Sequence, residues 1–565
     1  MTGEPFLALY EAKAAALLEA YRTGTPDAME RHYQHTWHRR AWHAMRTYVQ
    51  LDLGKRPAVP GGDVEITLDD ARFLIAKEHG FANWGALRAE ASRAPTGVAL
   101  SAAPLRVMSS LADDATTLVA SRDWNTVLRV LAVHPDAVLD THGQLTDDKL
   151  AQVVEIPGVS SLHLANSQAI TDAGVQHLSR LTGLRHLDLS QTGVTDDGLR
   201  ALRNLPALEM LRLTNTRVTD AGMDHLRECD ALRQVDLMWT RTGDGAIAAL
   251  AGKRALTHFQ SGTLVTDAGL ALLHDLPVFA TWNGARPELA LLRRDVSTNM
   301  LGLRGTFTDA GMEELRGLDG LFGLDLDDRS LQCSARAMHP LVSLPHLGRL
   351  SVDAKDDWMP IIASMPALRF LSAQDTTAGD DGFEALSRSQ SIEHIWGRRC
   401  HNLRSRGFSA LRQMPRLHGL SVSCLNVADE AIAQLPEFPA LRELMPMDVP
   451  DAGYRHIGQC TRLEALLLMY CRDTTDAATE QITGLTHLRR YFNSYTTITD
   501  RTPALLSTMD SLEEVTFDAC HNLTDDGVGA LARLPRLRTV RVAGNGLTAN
   551  VLTRFPSGVT VHYLP

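Results

Sequence analysis

The sequence is poor in the features that announce a compartment or a reaction. Seven cysteines in 565 residues are odd in number and too few for a disulfide framework, which argues for a reducing, cytoplasmic setting. No apolar run approaches the ~18 residues of a membrane span. The N-terminus, MTGEPFLALYEAKAAALLEA, carries Glu4 and Glu11 where a secretory leader needs basic residues. A soluble protein with no membrane partner is therefore expected. Basic residues are in deficit, 56 Lys and Arg against 67 Asp and Glu for a net −11, and this mild acidity disfavours nucleic acid as a partner. HExxH, a Gly-rich phosphate loop after a strand and a GxSxG elbow are all missing, so the reading names no catalytic residue and no cofactor.

What the chain does contain is repetition. Val194 to Leu226 reads VTDDGLRALRNLPALEMLRLTNTRVTDAGMDHL, and phrases of the same kind begin at Leu145, Ile170, Val218, Val265, Phe307, Ile498 and Leu523. The period between Val194 and Val218 is 24 residues. Within a unit such as ITDAGVQHLSRLTGLRHLDLSQT, Val175, Leu178 and Leu181 fall three apart. Leu187 and Leu189 alternate. A helical half followed by a strand is predicted, with the Thr-Asp pairs Thr195-Asp196 and Thr219-Asp220 as helix caps. One unit cannot bury its leucines alone, so units stack, strands in one parallel sheet and helices outside a curved solenoid.

The pattern LxxLxLxx followed by Thr, Asn or Cys resembles the leucine-rich repeat family. CTRLEALLLMYCRDTTDAATEQI from Cys460 is similar to its cysteine-containing subtype, found in F-box substrate adaptors and in bacterial proteins with Thr-Asp-x-Gly phrases. The resemblance implies an α/β leucine-rich repeat solenoid of about 16 repeats over residues 145–565. Cys400, Cys424, Cys471 and Cys520 take the position of Thr192 and Thr216, as small thiols closing the turn after a strand. Residues 286–306, with PELALLRRD and NMLGLRGT, depart from the pattern and suggest a shortened unit.

Residues 1–95 form a distinct all-α region, with a Pro/Gly linker GKRPAVPGG. TLDDARFLIAKEHGFANWGALRAE there resembles the segment preceding repeats in bacterial ankyrin-type proteins, with Gly85 in place of the usual proline. Its core candidates are Phe73, Leu74, Ala76, Phe81, Trp84 and Leu87. Residues 96–144 are expected to add helices around Trp124 that cap the first repeat. The histidine cluster His32, His35, His38 and His43 has spacings that two metal ligands could use. Interleaved Trp37 and Trp42 and adjacent Arg39 and Arg40 favour an amphipathic helix, so no metal site is assigned. Asp325, Asp327 and Asp328 lack a calcium loop's glycine and terminal glutamate and read as solvated charge.

Strand alternation sends the residue between the last two leucines of each unit to the sheet's open face. That column begins polar: Asp188, Arg212, Asp236, Gln260, Asn283, Gly302, Asp325, Ser351 and Ser372. It continues as Trp396, Ser421, Met445, Leu467, Phe492, Thr516 and Arg541, with Met447, Met469, Tyr470 and Tyr495 close by. An exposed patch of Trp396, Met445, Met447, Leu467, Met469, Tyr470, Phe492 and Tyr495 is the expected partner-binding site, since contiguous apolar area marks contact surfaces. A one-residue register slip would turn the same side chains inward. The leading function is a non-enzymatic scaffold binding a protein partner on the concave sheet. The alternatives are an F-box-type adaptor or secreted effector, for which residues 1–144 contain no F-box pattern, and an enzyme using a metal at the N-terminal histidines.

Overall fold

The computed structural model describes residues 4–33, 49, 53, 55, 64–92, 103–110, 116–282, 284, 286–292, 299–326, 333–374, 376–469, 474–544 and 547–564. The chain divides into two compact units, Met1–Leu250 and Ala251–Pro565.

The first unit opens with the helices Glu4–Thr23, Pro26–Tyr33, Leu68–Glu78 and Trp84–Ala91. Thr67 caps the third in a capping box: its hydroxyl accepts from Asp70 N–H while Asp70 accepts from Thr67 N–H. Leu74, Ala76, Phe81 and Leu87 are buried as anticipated, together with Tyr10, Leu17 and Ile75, while Phe73 and Trp84 are only half-buried. Residues 105–140 differ from the all-helical expectation. β1 (Leu105–Met108) pairs antiparallel with β2 (Thr117–Ser121) and with β3 (Val138–Asp140), and the helix Trp124–Val133 intervenes. Leu105 and Val107 are buried while Arg106 and Met108 are half-buried, the period-2 signature of a strand. β3 then starts a parallel ladder through β4 (Ser161–His163), β5 (His186–Asp188), β6 (Met210–Arg212) and β7 (Gln234–Asp236).

The repeat phrase has a physical role that the capping argument caught only in part. Threonine is the cap: Thr171 and Thr219 accept from the N–H groups of Ala173 and Ala221. Aspartate instead joins one repeat to the next. Asp172 accepts from Thr195 N–H at 2.8 Å and from its hydroxyl at 2.7 Å, and Asp196 accepts both groups of Thr219 at 2.7 Å. Asp147 does the same for Thr171. The glycine of Thr-Asp-x-Gly follows from this stitch: a Cβ on Gly222 would lie 2.5 Å from Asp196 Oδ1, and one on Gly198 2.6 Å from Asp172 Oδ1.

The second unit is a parallel ladder throughout its described strands. These are β8 (His258–Gln260), β9 (Met300–Gly302), β10 (Gly323–Leu326), β11 (Arg349–Val352), β12 (Phe370–Ser372), β13 (His394–Gly397), β14 (Gly419–Val422), β15 (Glu443–Met445), β16 (Ala465–Met469), β17 (Arg490–Ser494), β18 (Glu514–Asp518), β19 (Thr539–Ala543) and β20 (Thr560–Leu564). Leu301, Leu324, Leu350, Leu371, Ile395, Leu420, Leu444 and Leu466 form one buried column against the helices. The expected shortened unit at 286–306 is instead split, with Met300–Gly302 forming the repeat strand β9 and residues 286–292 preceding it as an insertion. β8 pairs directly with β9, and Asp267 makes the usual stitch to Thr308, so this stretch is one repeat carrying an insertion.

The cysteine positions serve the turn after the strand. Cys400 Sγ donates to the Gly397 carbonyl, as Thr192 does to Leu189 and Thr216 to Leu213. Cys424 and Cys520 are likewise buried and unoxidised; Cys471 lies outside the described residues.

Candidate functional site: the open sheet face

The open faces of the two units differ in chemistry. On the first, Asp140, His163, Asp188, Arg212 and Asp236 stand in register on neighbouring strands, opposite charges alternating. His163 bridges two carboxylates, with Nε2 3.0 Å from Asp188 and Nδ1 3.5 Å from Asp140, and Arg212 lies 3.9 Å from Asp188. The hydrogen bonds to Asp140 and Asp188 raise the His163 imidazole to about 9, against an opposing effect of burial. Burial pushes both carboxyls up, but His163, with His142 at Asp140 and Ser190 at Asp188, more than offsets it and leaves them below the ordinary carboxylate range. The column thus neutralises itself across strands.

On the second unit, the strand register follows the expected outward column except at Asn283, which was expected between Gln260 and Gly302, whereas those two are direct partners. Gln260, Gly302, Asp325, Ser351, Ser372, Trp396, Ser421 and Met445 are successive partners, as are Leu467, Phe492, Thr516 and Arg541. Asn283 lies outside the described residues. Asp325 is paired with Arg304 at 3.3 Å, and Asp327 and Asp328 are outside the described set.

The expected exposure of the apolar patch is corrected. Trp396 is 2 % exposed, Met445 1 %, Met447 7 % and Leu467 4 %, with Met469 and Phe492 half-buried. Trp396, Met445, Leu467, Met469 and Phe492 nevertheless point away from the helices, as their register shows, so a slip is not the cause; Met447 lies just beyond β15. All six share one hydrophobic cluster with Leu289 and Leu291 of the inserted residues 286–292, together with Met300, Phe322, Phe370 and Ala465. Tyr495 stands apart, beyond the end of β17 in the left-handed region at φ +54, where its N–H donates to the Asp518 carbonyl. Tyr470 lies outside the described residues.

The inserted segment is held at both ends by groups of the sheet. Arg369 Nη1 donates to the Pro287 carbonyl at 3.2 Å, and Leu291 N–H donates to Glu443 Oε2 at 2.8 Å. Arg490 pairs with the other oxygen of Glu443, Oε1, and His394 Nε2 lies 3.8 Å from Oε2. Burial keeps His394 well below the usual imidazole range, so a neutral ring stacks on Phe370 at 5.8 Å. Before the insertion's extended part, Trp282 stacks on His346 at 4.7 Å and tilts against Phe322 at 5.9 Å. The sequence reading missed Leu289, Leu291 and Glu443. The signal was there: the phrase interval from Val265 to Phe307 is 42 residues where 24 is the period.

Of the N-terminal histidines, His32 is buried, and His35, His38 and His43 lie outside the described residues. Among the described residues no group of three or more His, Cys, Asp or Glu could hold a metal ion, and no helix is long and apolar enough to cross a membrane.

A leucine-rich repeat family profile matches residues 157–218. The stacked strand and helix units have the leucine-rich repeat fold. Among solved structures, the protein is similar to a chain of a TLR13–ssRNA13 complex, at 15 % identity and a TM-score of 0.42, covering 76 % of this chain and 69 % of that one. It is also similar to an internalin, inlF, from Listeria monocytogenes str. 4b F2365, at 15 % identity and a TM-score of 0.26, covering 78 % and 93 %.

Proposed function

We propose that this leucine-rich repeat chain is a non-enzymatic, cytoplasmic scaffold that binds a protein partner on the open sheet face of its second unit. The observation that carries the reading is the apolar strip formed by Trp396, Met445, Met447, Leu467, Met469 and Phe492, on which a stretch of polypeptide already sits. Repeat packing itself uses the opposite, leucine-bearing side of the strands, so large side chains on the open side serve contact rather than the repeat core. Aromatic and methionine side chains offer contact area that adapts to a polypeptide.

The test is affinity capture from native lysate with wild type, Phe492→Ala and Trp396→Ala. Phe492 is half-buried and within reach of a partner, so its loss should weaken capture by about 2 kcal/mol, roughly thirtyfold, on the scale of interface hot spots. Unchanged capture by folded Phe492→Ala protein would place the contact surface elsewhere.

A further inference from the structure

The apolar strip is occupied by a segment that its own repeat does not require. β8 and β9 pair without it, and the Asp267–Thr308 stitch closes that repeat in the ordinary way. Residues 286–292 form neither helix nor strand, yet they alternate as an extended chain does: Glu288 exposed, Leu289 buried, Ala290 half-buried, Leu291 buried, Leu292 exposed. The sheet holds this segment partly through its backbone, by Arg369 on the Pro287 carbonyl and Glu443 on the Leu291 N–H. Backbone contacts combined with sockets for alternate side chains are how an extended peptide is recognised.

The floor is shaped for a side chain from above. A Cβ on Gly419 would stand 3.0 Å from Leu291 Cγ and 2.4 Å from the His394 ring, so the absence of a side chain there leaves the socket that Leu291 fills. The fit is incomplete. Ser421 Oγ and His394 Nδ1 are buried in the same strip and meet no hydrogen-bond partner among the described residues. Buried polar groups left unsatisfied cost stability, and a chain that supplied partners for them would hold this face better than residues 286–292 do.

We propose that residues 286–292 are an internal ligand of this face, and that a partner binds by displacing them with an extended peptide carrying leucine-like side chains at alternate positions. The inference rests on the reading of the second unit as a protein-binding scaffold. Being tethered, the internal segment competes at high effective concentration, so it lowers the apparent affinity of any partner that needs the same groove.

The probe is a fluorescent synthetic peptide of residues 284–294, GARPELALLRR, read by anisotropy. It is titrated against the full chain and against a full-length variant with residues 286–292 replaced by an equal run of Gly and Ser. Binding at least tenfold tighter to the replaced variant, and lost when serine stands at both leucine positions buried in the groove, is the expected result. Equal affinity for the two proteins, or no binding to a folded replaced variant, overturns the proposal. L291A removes one anchor and carries the same test if the replacement fails to fold, with several-fold tighter peptide binding expected. If neither variant folds, the segment is structural core and the proposal falls. Peptide failure alongside Phe492-dependent capture of a partner overturns the internal ligand alone, whereas capture indifferent to Phe492→Ala overturns the wider reading.

Discussion

Asp196 is the place to test whether the repeat phrase holds neighbouring repeats together or merely caps its own helix. Its carboxylate receives Thr219 N–H and Thr219 Oγ, both at 2.7 Å. Hydrogen bonds to a charged group contribute about 1.5–3 kcal/mol each. Asp196 is half-buried, so the lower half of that range applies, and Asp196→Ala should cost about 3–4.5 kcal/mol. A helix cap alone is worth about 1 kcal/mol. Gly222→Ala places a Cβ 2.5 Å from Asp196 Oδ1, 3.0 Å from Leu199 Cδ1 and 3.1 Å from Asp196 Cα, an overpacking of about 1–3 kcal/mol. Removing Asp196 deletes the nearest of these atoms, so the two losses should fall short of additive by about 1 kcal/mol in the double mutant. Repeat arrays open locally, so hydrogen exchange of peptides spanning 194–226, Thr219 N–H included, is the measurement that suits. Additivity within about 0.5 kcal/mol would refute the stitch as the reason for the glycine.

Three further expectations follow from the geometry. His163 is raised to about 9 by Asp140 and Asp188, so its contribution is full below the free imidazole value near 6.5 and is lost as pH rises through 9. The two carboxyls, lowered by His163, contribute above their free values near 4 and lose this as pH falls. The contribution of this His163–carboxylate cluster should therefore be largest between roughly pH 4.5 and 6.5, and His163→Gln should remove about 1–2 kcal/mol there, discounted for partial solvent exposure, as read from the difference between wild-type and mutant thermal melts across pH; a difference that does not vary with pH would contradict this. Trp396→Ala should cost about 3–5 kcal/mol in stability, because the ring is covered, and less in a chain whose residues 286–292 are replaced, by denaturant titration of both. Burial pushes the Cys333 thiol up to about 11 and the Cys460 thiol up to about 12, so both should resist alkylation at pH 8 until the protein is unfolded, as read by peptide mass mapping.

The architecture was legible because a repeat encodes the same local instruction many times. Thr for the cap, leucines three apart for the short helix and alternating leucines for the strand all act within a few residues, and each copy votes for the same register. That is why most of the outward column from Gln260 to Arg541 could be written down before any strand pairing was seen, Asn283 being the member that the direct pairing of Gln260 with Gly302 removes. Where local instruction was thin, the reading failed: LRVM and TLVAS, four and five residues long, became an antiparallel ribbon where helices were expected. The role of Asp196 was also hidden, since its partner lies in the following repeat and sequence alone shows only the helix that the aspartate precedes.

The sequence by itself determined which side chains leave the sheet on its open side, because backbone alternation is a local property. Only the tertiary structure decided what those side chains meet. Whether Trp396 faces water or polypeptide depends on where residues 286–292 travel after leaving β8, and Leu291 N–H finds its acceptor, Glu443, 152 positions away. No periodicity links positions so distant; chain folding in three dimensions brings them together.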